Sequence, residues 1–268
     1  SNISELISNE SSISFIDENS ILPVRKINEF LLMMRNFTTT RDFWYEQQFL
    51  KMAYSRICKK EYYLIWDMDT IPIKTIKMFE DNHPFFDMKT EHHFPYFNTM
   101  KRLIPGLIFA NQSYISEHMM IKTDLMKELL LTIEKNDKIP GKLFWQKILM
   151  VIDVNDINYS GFSEFETYGS YVDTKYIYVY THRNWYSLRK AKIFSDNCEK
   201  LTKFDLNWLS QDYHALSFEK YHIYEEKYLE VIKNVKLQKL FRPNIFFAHI
   251  NKIFLNYKTI NLTQIADL

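Results

Sequence analysis

One short stretch limits this chain more than any other: Glu61-Tyr62-Tyr63-Leu64-Ile65-Trp66-Asp67-Met68-Asp69-Thr70-Ile71-Pro72, an apolar run that ends in two carboxylates one residue apart. Tyr62 to Trp66 is short, aromatic and β-branched, which predicts a central strand covered on both faces. Pro72 cannot extend the ladder. In open α/β sheets ligands gather beyond the carboxyl ends of strands, so Asp67 and Asp69 fall where a ligand is expected. Two hard oxygen donors in that place suit a divalent cation that keeps water and shares its remaining positions with phosphate. An isolated Asp-x-Asp more often only ends a strand and makes a turn. The buried run before this one is what favours the metal reading.

The stretches on either side alternate between helical and extended patterns. Residues 1–12 are polar without a readable period, Ile13-Ser14-Phe15-Ile16 suits a short strand, and Ile27–Met34 suits a helix after Pro23. Thr38 to Thr40 offer N-caps for a helix over Arg41–Lys60 that feeds the Tyr62–Trp66 strand. His83–Tyr96, dense in His, Phe and Pro, reads as a loop, and the adjacent His92 and His93 beside Glu91 do not converge on one ion. Further strands are expected at Leu107–Ala110, within the alternating Tyr114–Ile121, and at Tyr176–Tyr180, with helices over Thr123–Glu134 and Lys142–Ile152. Ser163-Glu164-Phe165-Glu166 matches a capping box, in which Glu166 reaches back to the Ser163 N–H and a helix begins. From Thr181 onward the pattern reads as mainly helical, strongest over Glu219–Leu240, with Pro243 as its stop. Strands alternating with helices make an α/β class the expectation: a catalytic domain with a mixed sheet flanked by helices over 1–180, and a helical extension packed on it over 181–268.

Composition mainly excludes. With 34 basic against 33 acidic residues the net charge is +1, which gives no footprint for nucleic acid. Cys58 and Cys198 have neither metal-ligand nor redox spacing, so inert thiols in a reducing compartment are expected. No run approaches the roughly 18 apolar residues of a membrane span, and no signal peptide opens the chain, so a soluble cytoplasmic protein is expected. The basic and aromatic stretch Lys233–Lys258 suits a peripheral contact with the inner face of a membrane, or simply a packed helix.

Tyr63-Leu64-Ile65-Trp66-Asp67-Met68-Asp69 resembles the aspartate motif of GT-A-fold glycosyltransferases, whose core is Rossmann-like. Taken with Ser116-Glu117-His118-Met119 and Phe162-Ser163-Glu164-Phe165-Glu166-Thr167-Tyr168-Gly169, it is similar to a bacterial group associated with surface-polysaccharide assembly, the lipopolysaccharide and capsule polymers. The resemblance covers about the middle third of the chain. It implies that Asp67 and Asp69 hold Mn2+ or Mg2+ against the diphosphate of a nucleotide-sugar donor, with a saccharide or lipid-linked saccharide as acceptor. It offers Glu164 and Glu166 as candidates for the base that deprotonates the acceptor hydroxyl, Glu164 first because the capping box does not need it. By the same resemblance a late histidine joins the metal shell, with His182 preferred over His214, His222 and His249. Trp66, His118 and Arg183 are the implied substrate contacts, against the plainer readings of His118 as a core histidine and Arg183 as a surface arginine.

A GT-A domain usually opens with a strand, helix and strand that cradle the base. Here only Ile13–Ile16 and two helical segments precede the Asp67 strand, so the opening is either truncated or arranged differently. Two rivals follow from the same residues. Ile65-Trp66-Asp67-Met68-Asp69-Thr70 also looks like the nucleophile strand of a haloacid-dehalogenase-type phosphohydrolase, with Asp67 attacking phosphorus. A sugar-binding or scaffold protein without a working donor site is the other.

Overall fold

The computed structural model describes residues 14–35, 42–219 and 233–249. The architecture is mixed α/β. In chain order the strands are β1 (Tyr62–Trp66), β2 (Thr70–Pro72), β3 (Phe79–Glu80), β4 (His83–Met88), β5 (His118–Lys122), β6 (Thr181–Asn184), β7 (Ser187–Leu188) and β8 (Ala215–Ser217). The helices are α1 (Val24–Arg35), α2 (Asp42–Ala53), α3 (Phe94–Leu103), α4 (Thr123–Glu134), α5 (Phe144–Val151), α6 (Glu164–Lys175), α7 (Lys203–Leu209) and α8 (Val235–Leu240). None of the described helices is long and apolar enough to cross a membrane.

Among the described residues the strands form three small sheets. β1 pairs antiparallel with β5, placing Trp66 opposite His118. β4 lies between β3 and β6, antiparallel to the first and parallel to the second. β8 lies between β2 and β7. The expectation of a central strand buried on both faces is therefore corrected: β5 is the one partner of β1 among these residues, and Leu64 is 43% exposed. Its apolar run covers only one side with core, through Ile65.

Several boundaries move for physical reasons. The expected loop at 83–96 contains β4, in which Pro84 sits near the strand start and Phe85 to Met88 are all buried. Burial on both faces erases the alternation that would have announced it. Leu107–Ala110 is irregular, and Tyr176–Tyr180 is a turn that leaves Tyr178 exposed and buries Tyr180, whose hydroxyl donates to the Met120 carbonyl at 3.0 Å. Among the described residues after 181 the chain supplies β6 to β8 beside its helices, strands too short to print a two-residue period. These strands pair with β4 and β2, so the C-terminal part completes sheets begun before residue 90. Of the expected 219–240 helix, residues 220–232 lie outside the described residues, and α8 covers the end. Pro243 opens a new helical turn over residues 243–249.

Two hydrophobic clusters hold this arrangement. The larger joins Ile27, Leu31, Phe49 and Met52 of α1 and α2 to Ile65, Met119 and Ile121 of the β1–β5 pair, and to the buried faces of α4, α5 and α6. The smaller gathers Phe194, Trp208, Leu209, Leu216, Phe246 and Phe247. At the centre lies α6, whose residues Glu164 to Val172 are all buried, two glutamates included. Gly169 lets the Tyr114 ring lie directly on this helix, since a Cβ there would fall 2.3 Å from the ring. A helix that buries two acids in its first turn is a costly element.

Candidate functional site

The chain leaves β1 at Trp66 and turns at once. The Thr70 N–H donates to the Asp67 carbonyl at 3.0 Å and the Trp66 indole N–H to the Thr70 carbonyl at 2.7 Å, which throws Met68 into solvent at 98% exposure. The Phe218 N–H, donating to the Asp69 carbonyl at 2.8 Å, ties this turn to the strand β8. Asp67 is half-buried and Asp69 exposed. Partial desolvation, followed by the charges of Asp67 and Glu219, pushes the Asp69 carboxyl above its ordinary range.

Lys51 of α2 joins this turn to α6. Its ammonium donates to Asp67 Oδ1 at 2.7 Å and to Glu164 Oε1 at 3.0 Å. One helical turn earlier on α2, Gln48 Oε1 accepts the Glu164 N–H at 3.1 Å. Thus α2 holds the acidic end of β1 against the N-terminus of α6. Burial alone would pull the Lys51 ammonium down, but Glu164 and Asp67 outweigh it and hold it well above its ordinary value.

Only half of the expected capping box forms. Ser163 Oγ accepts the Glu166 N–H at 3.3 Å, but the Glu166 carboxylate turns away to the Ser113 hydroxyl. Its Oε2 is buried without a hydrogen-bond partner, and the residue is 1% exposed. Burial pushes the Glu166 carboxyl up to about 7, with the Ser113 bond opposing it. Because this value lies above that of an unfolded glutamate, the native state binds more protons, and Glu166 withdraws stability as pH rises from about 4.5 to 7. Urea denaturation at pH 5 and pH 8 checks this: the loss between the two should be smaller in Glu166→Gln than in the parent, by up to roughly 3 kcal/mol. Parallel pH profiles would contradict it.

A cavity of about 590 Å3 is walled by Lys89, Glu91, Gln112, Trp185, Arg189 and Glu219 among others. Behind it sits Glu117, buried and at φ 62°, a left-handed backbone that non-glycine residues rarely adopt. Its carboxylate accepts from Lys89, from the Trp185 indole at 3.0 Å and from the Ser187 hydroxyl at 3.0 Å, with Arg189 Nε 3.5 Å away. Arg189 also grips Glu219 at 2.8 Å and Glu91. The Asp67 N–H donates to the Glu117 carbonyl at 2.9 Å, which links this network to the aspartate turn.

The remaining candidates are placed as follows. His118 is buried with Nδ1 against the Ser116 carbonyl and Nε2 against Asp87, both at 2.9 Å, and its ring lies tilted against those of Trp66 and Trp185. Both ring nitrogens are engaged within the fold. Arg183 forks onto Asp87 at 2.6 and 2.7 Å and donates to the Lys77 carbonyl, which leaves the guanidinium committed to the fold. Burial alone would raise the Asp87 carboxyl, but His118 and Arg183 hold it below its usual range. His182 bonds Asp173 at 2.6 Å, a hydrogen bond that raises its pKa. Asp173 stands nine residues along α6 from Glu164, roughly 13 Å of helix, so the structure does not bring His182 to the aspartate pair. Trp66 flanks the pair but spends its indole N–H on the turn.

The structure thus brings together Asp67, Asp69 and Glu164 through Lys51, turns Glu166 to Ser113 instead, and gathers Lys89 and Arg189, which no sequence motif marks, on Glu117 of the Ser116-Glu117-His118-Met119 stretch. Lys51 had one signal, a lysine one turn from Gln48 on a helix whose neighbours Phe49 and Met52 are fully buried. Among the described residues no three His, Cys, Asp or Glu side chains converge to hold a metal ion. A hydrated Mg2+ or Mn2+ that takes phosphate oxygens needs only one or two carboxylates. The crowded charge around Asp69 fits such a guest.

Fold and site together define a mixed α/β protein with an acidic turn set beside a polar cavity. The chain belongs to a family described as of unknown function, DUF6492, whose model matches residues 1–240. No curated protein and no solved structure matches it.

Proposed function

We propose that this protein is a metal-dependent glycosyltransferase with a GT-A-like core, moving a sugar from a nucleotide-sugar to a saccharide or lipid-linked saccharide acceptor in bacterial surface-polysaccharide synthesis. One observation supports this most: Lys51 bridges Asp67 and Glu164, so that a carboxylate turn suited to a donor diphosphate and a buried glutamate suited to proton transfer meet at one place. Asp67 and Asp69 are the residues that would hold Mn2+ or Mg2+. When bound, such an ion supplies positive charge to the departing diphosphate without proton transfer.

Of the two glutamates, Glu164 is held by the Lys51 ammonium at 3.0 Å. Glu166 is raised by burial to about 7, but it is 1% exposed and its carboxylate is turned to the Ser113 hydroxyl, so Glu164, in contact with the aspartate turn through Lys51, keeps first place as the base of the proposed reaction. The neighbouring cavity offers amide, hydroxyl and indole groups of the kind that fix sugar hydroxyls and sugar faces.

Calorimetry with a panel of nucleotide-sugars, each with and without Mn2+, tests the reading. One donor should bind, and only with the metal. Failure of the whole panel to bind to the intact protein favours the scaffold reading, and a phosphorylated Asp67 trapped during turnover of a phosphate ester favours the phosphohydrolase.

A further inference from the structure

Lys51 is the residue of this neighbourhood that the proposed reaction leaves without a task. Two of its three N–H donors are spent on Asp67 and Glu164. The ammonium lies 4.8 Å from the centroid of the Phe165 ring, and the side chain helps to line a cavity of about 570 Å3 with Tyr54, Tyr63, Trp66 and Met68. It is therefore neither sealed in the core nor loose on the surface.

An ammonium 2.7 Å from Asp67 Oδ1 competes directly with any divalent cation for that carboxylate. Like charges a few ångströms apart in a half-buried place change an affinity by roughly tenfold or more. Resting on the reading that Asp67 and Asp69 hold a metal, we propose that Lys51 is a built-in counter-ion of the site. It occupies Asp67 in the resting protein and keeps the pair from taking up free metal. A diphosphate brings negative charge that metal and ammonium can share, so the cation binds well only in its company. Glu164 sets the strength of this block, because it draws part of the ammonium's charge away from Asp67.

Two substitutions with opposite expected signs test the proposal in the full chain, with Mn2+ binding followed by electron paramagnetic resonance. Lys51→Met should bind free Mn2+ roughly tenfold or more tighter than the parent. Glu164→Gln, which leaves the ammonium on Asp67 alone, should bind it more weakly. Inorganic pyrophosphate should raise Mn2+ affinity more in the parent than in Lys51→Met. Mn2+ binding that ignores Lys51→Met, or shifts the same way in both variants, overturns the counter-ion and leaves the metal reading standing. No Mn2+ binding to the parent or to Lys51→Met, with pyrophosphate present, overturns both. Should Lys51→Met fail to fold, Lys51→Gln, which removes the charge and keeps a polar side chain, decides in its place: tighter Mn2+ binding supports the counter-ion, and unchanged or weaker binding overturns it.

Discussion

Asp69→Asn should lower sugar transfer by roughly three orders of magnitude and leave the melting temperature where it was. Asp69 sits on an exposed turn, and its one side-chain bond is a long one, from the Thr70 hydroxyl at 3.4 Å. Nothing in the fold rests on its charge. Removing that charge even relieves repulsion, since Asp67 and Glu219 already push its carboxyl up. A metal stabilising a leaving diphosphate contributes several kcal/mol, and about 4 kcal/mol corresponds to the rate loss expected here. Asp67→Asn makes the contrast, because it also strips Lys51 of a buried partner and should cost stability as well as rate. Initial rates with the donor identified by calorimetry, set beside thermal melts of the same samples, decide the matter. A variant that keeps its rate, or that loses rate only as it loses fold, would remove Asp69 from the reaction.

The helical part of this fold was the more legible part. Leu125, Met126, Leu129, Leu130 and Ile133 repeat at three and four residues, and α4 begins and ends where that stripe and its threonine start predict. The β1 segment was legible in place but not in setting. An aromatic, β-branched run looks the same at an edge as at a centre, because the pattern records side chains and not the number of partner strands. β4 hid behind proline, histidine and two-sided burial, and β6 to β8 were too short to announce themselves. In the site, Asp67, Asp69, Glu164 and Glu166 could be picked out because acids among apolar residues are conspicuous. Lys51 could not, and Glu117, although inside a quoted motif, was given no role, since their meaning lies in contacts across 113 and 68 residues of chain, to Glu164 and Trp185. Sequence spacing also left His182 without an address relative to Asp67. Only the length of α6 between Glu164 and Asp173 separates them.

Glu117→Ala should cost about 3–5 kcal/mol of stability, the largest loss expected from any one side chain around the site. The carboxylate is buried and serves Lys89, Trp185, Ser187 and Arg189 together. Burial already pulls the Lys89 ammonium below its ordinary value, and Glu117 is the first charge that offsets it. Without that partner Lys89 is a charge in a poorly solvated place, and it must either deprotonate or drag water into the wall of the cavity. Glu117→Gly separates this effect from backbone strain. Glycine adopts the φ of 62° freely, whereas an alanine there keeps a penalty of roughly 1–2 kcal/mol, so the glycine variant should be the more stable of the two by about that amount while both remain well below the parent. Urea denaturation of the three proteins measures both differences. If alanine costs less than about 1 kcal/mol, the network behaves like exposed ion pairs and the cavity wall is not built on it. If alanine and glycine are equal, the left-handed turn at Glu117 stores no strain, and the carboxylate alone explains why a charged residue stands at the mouth of β5.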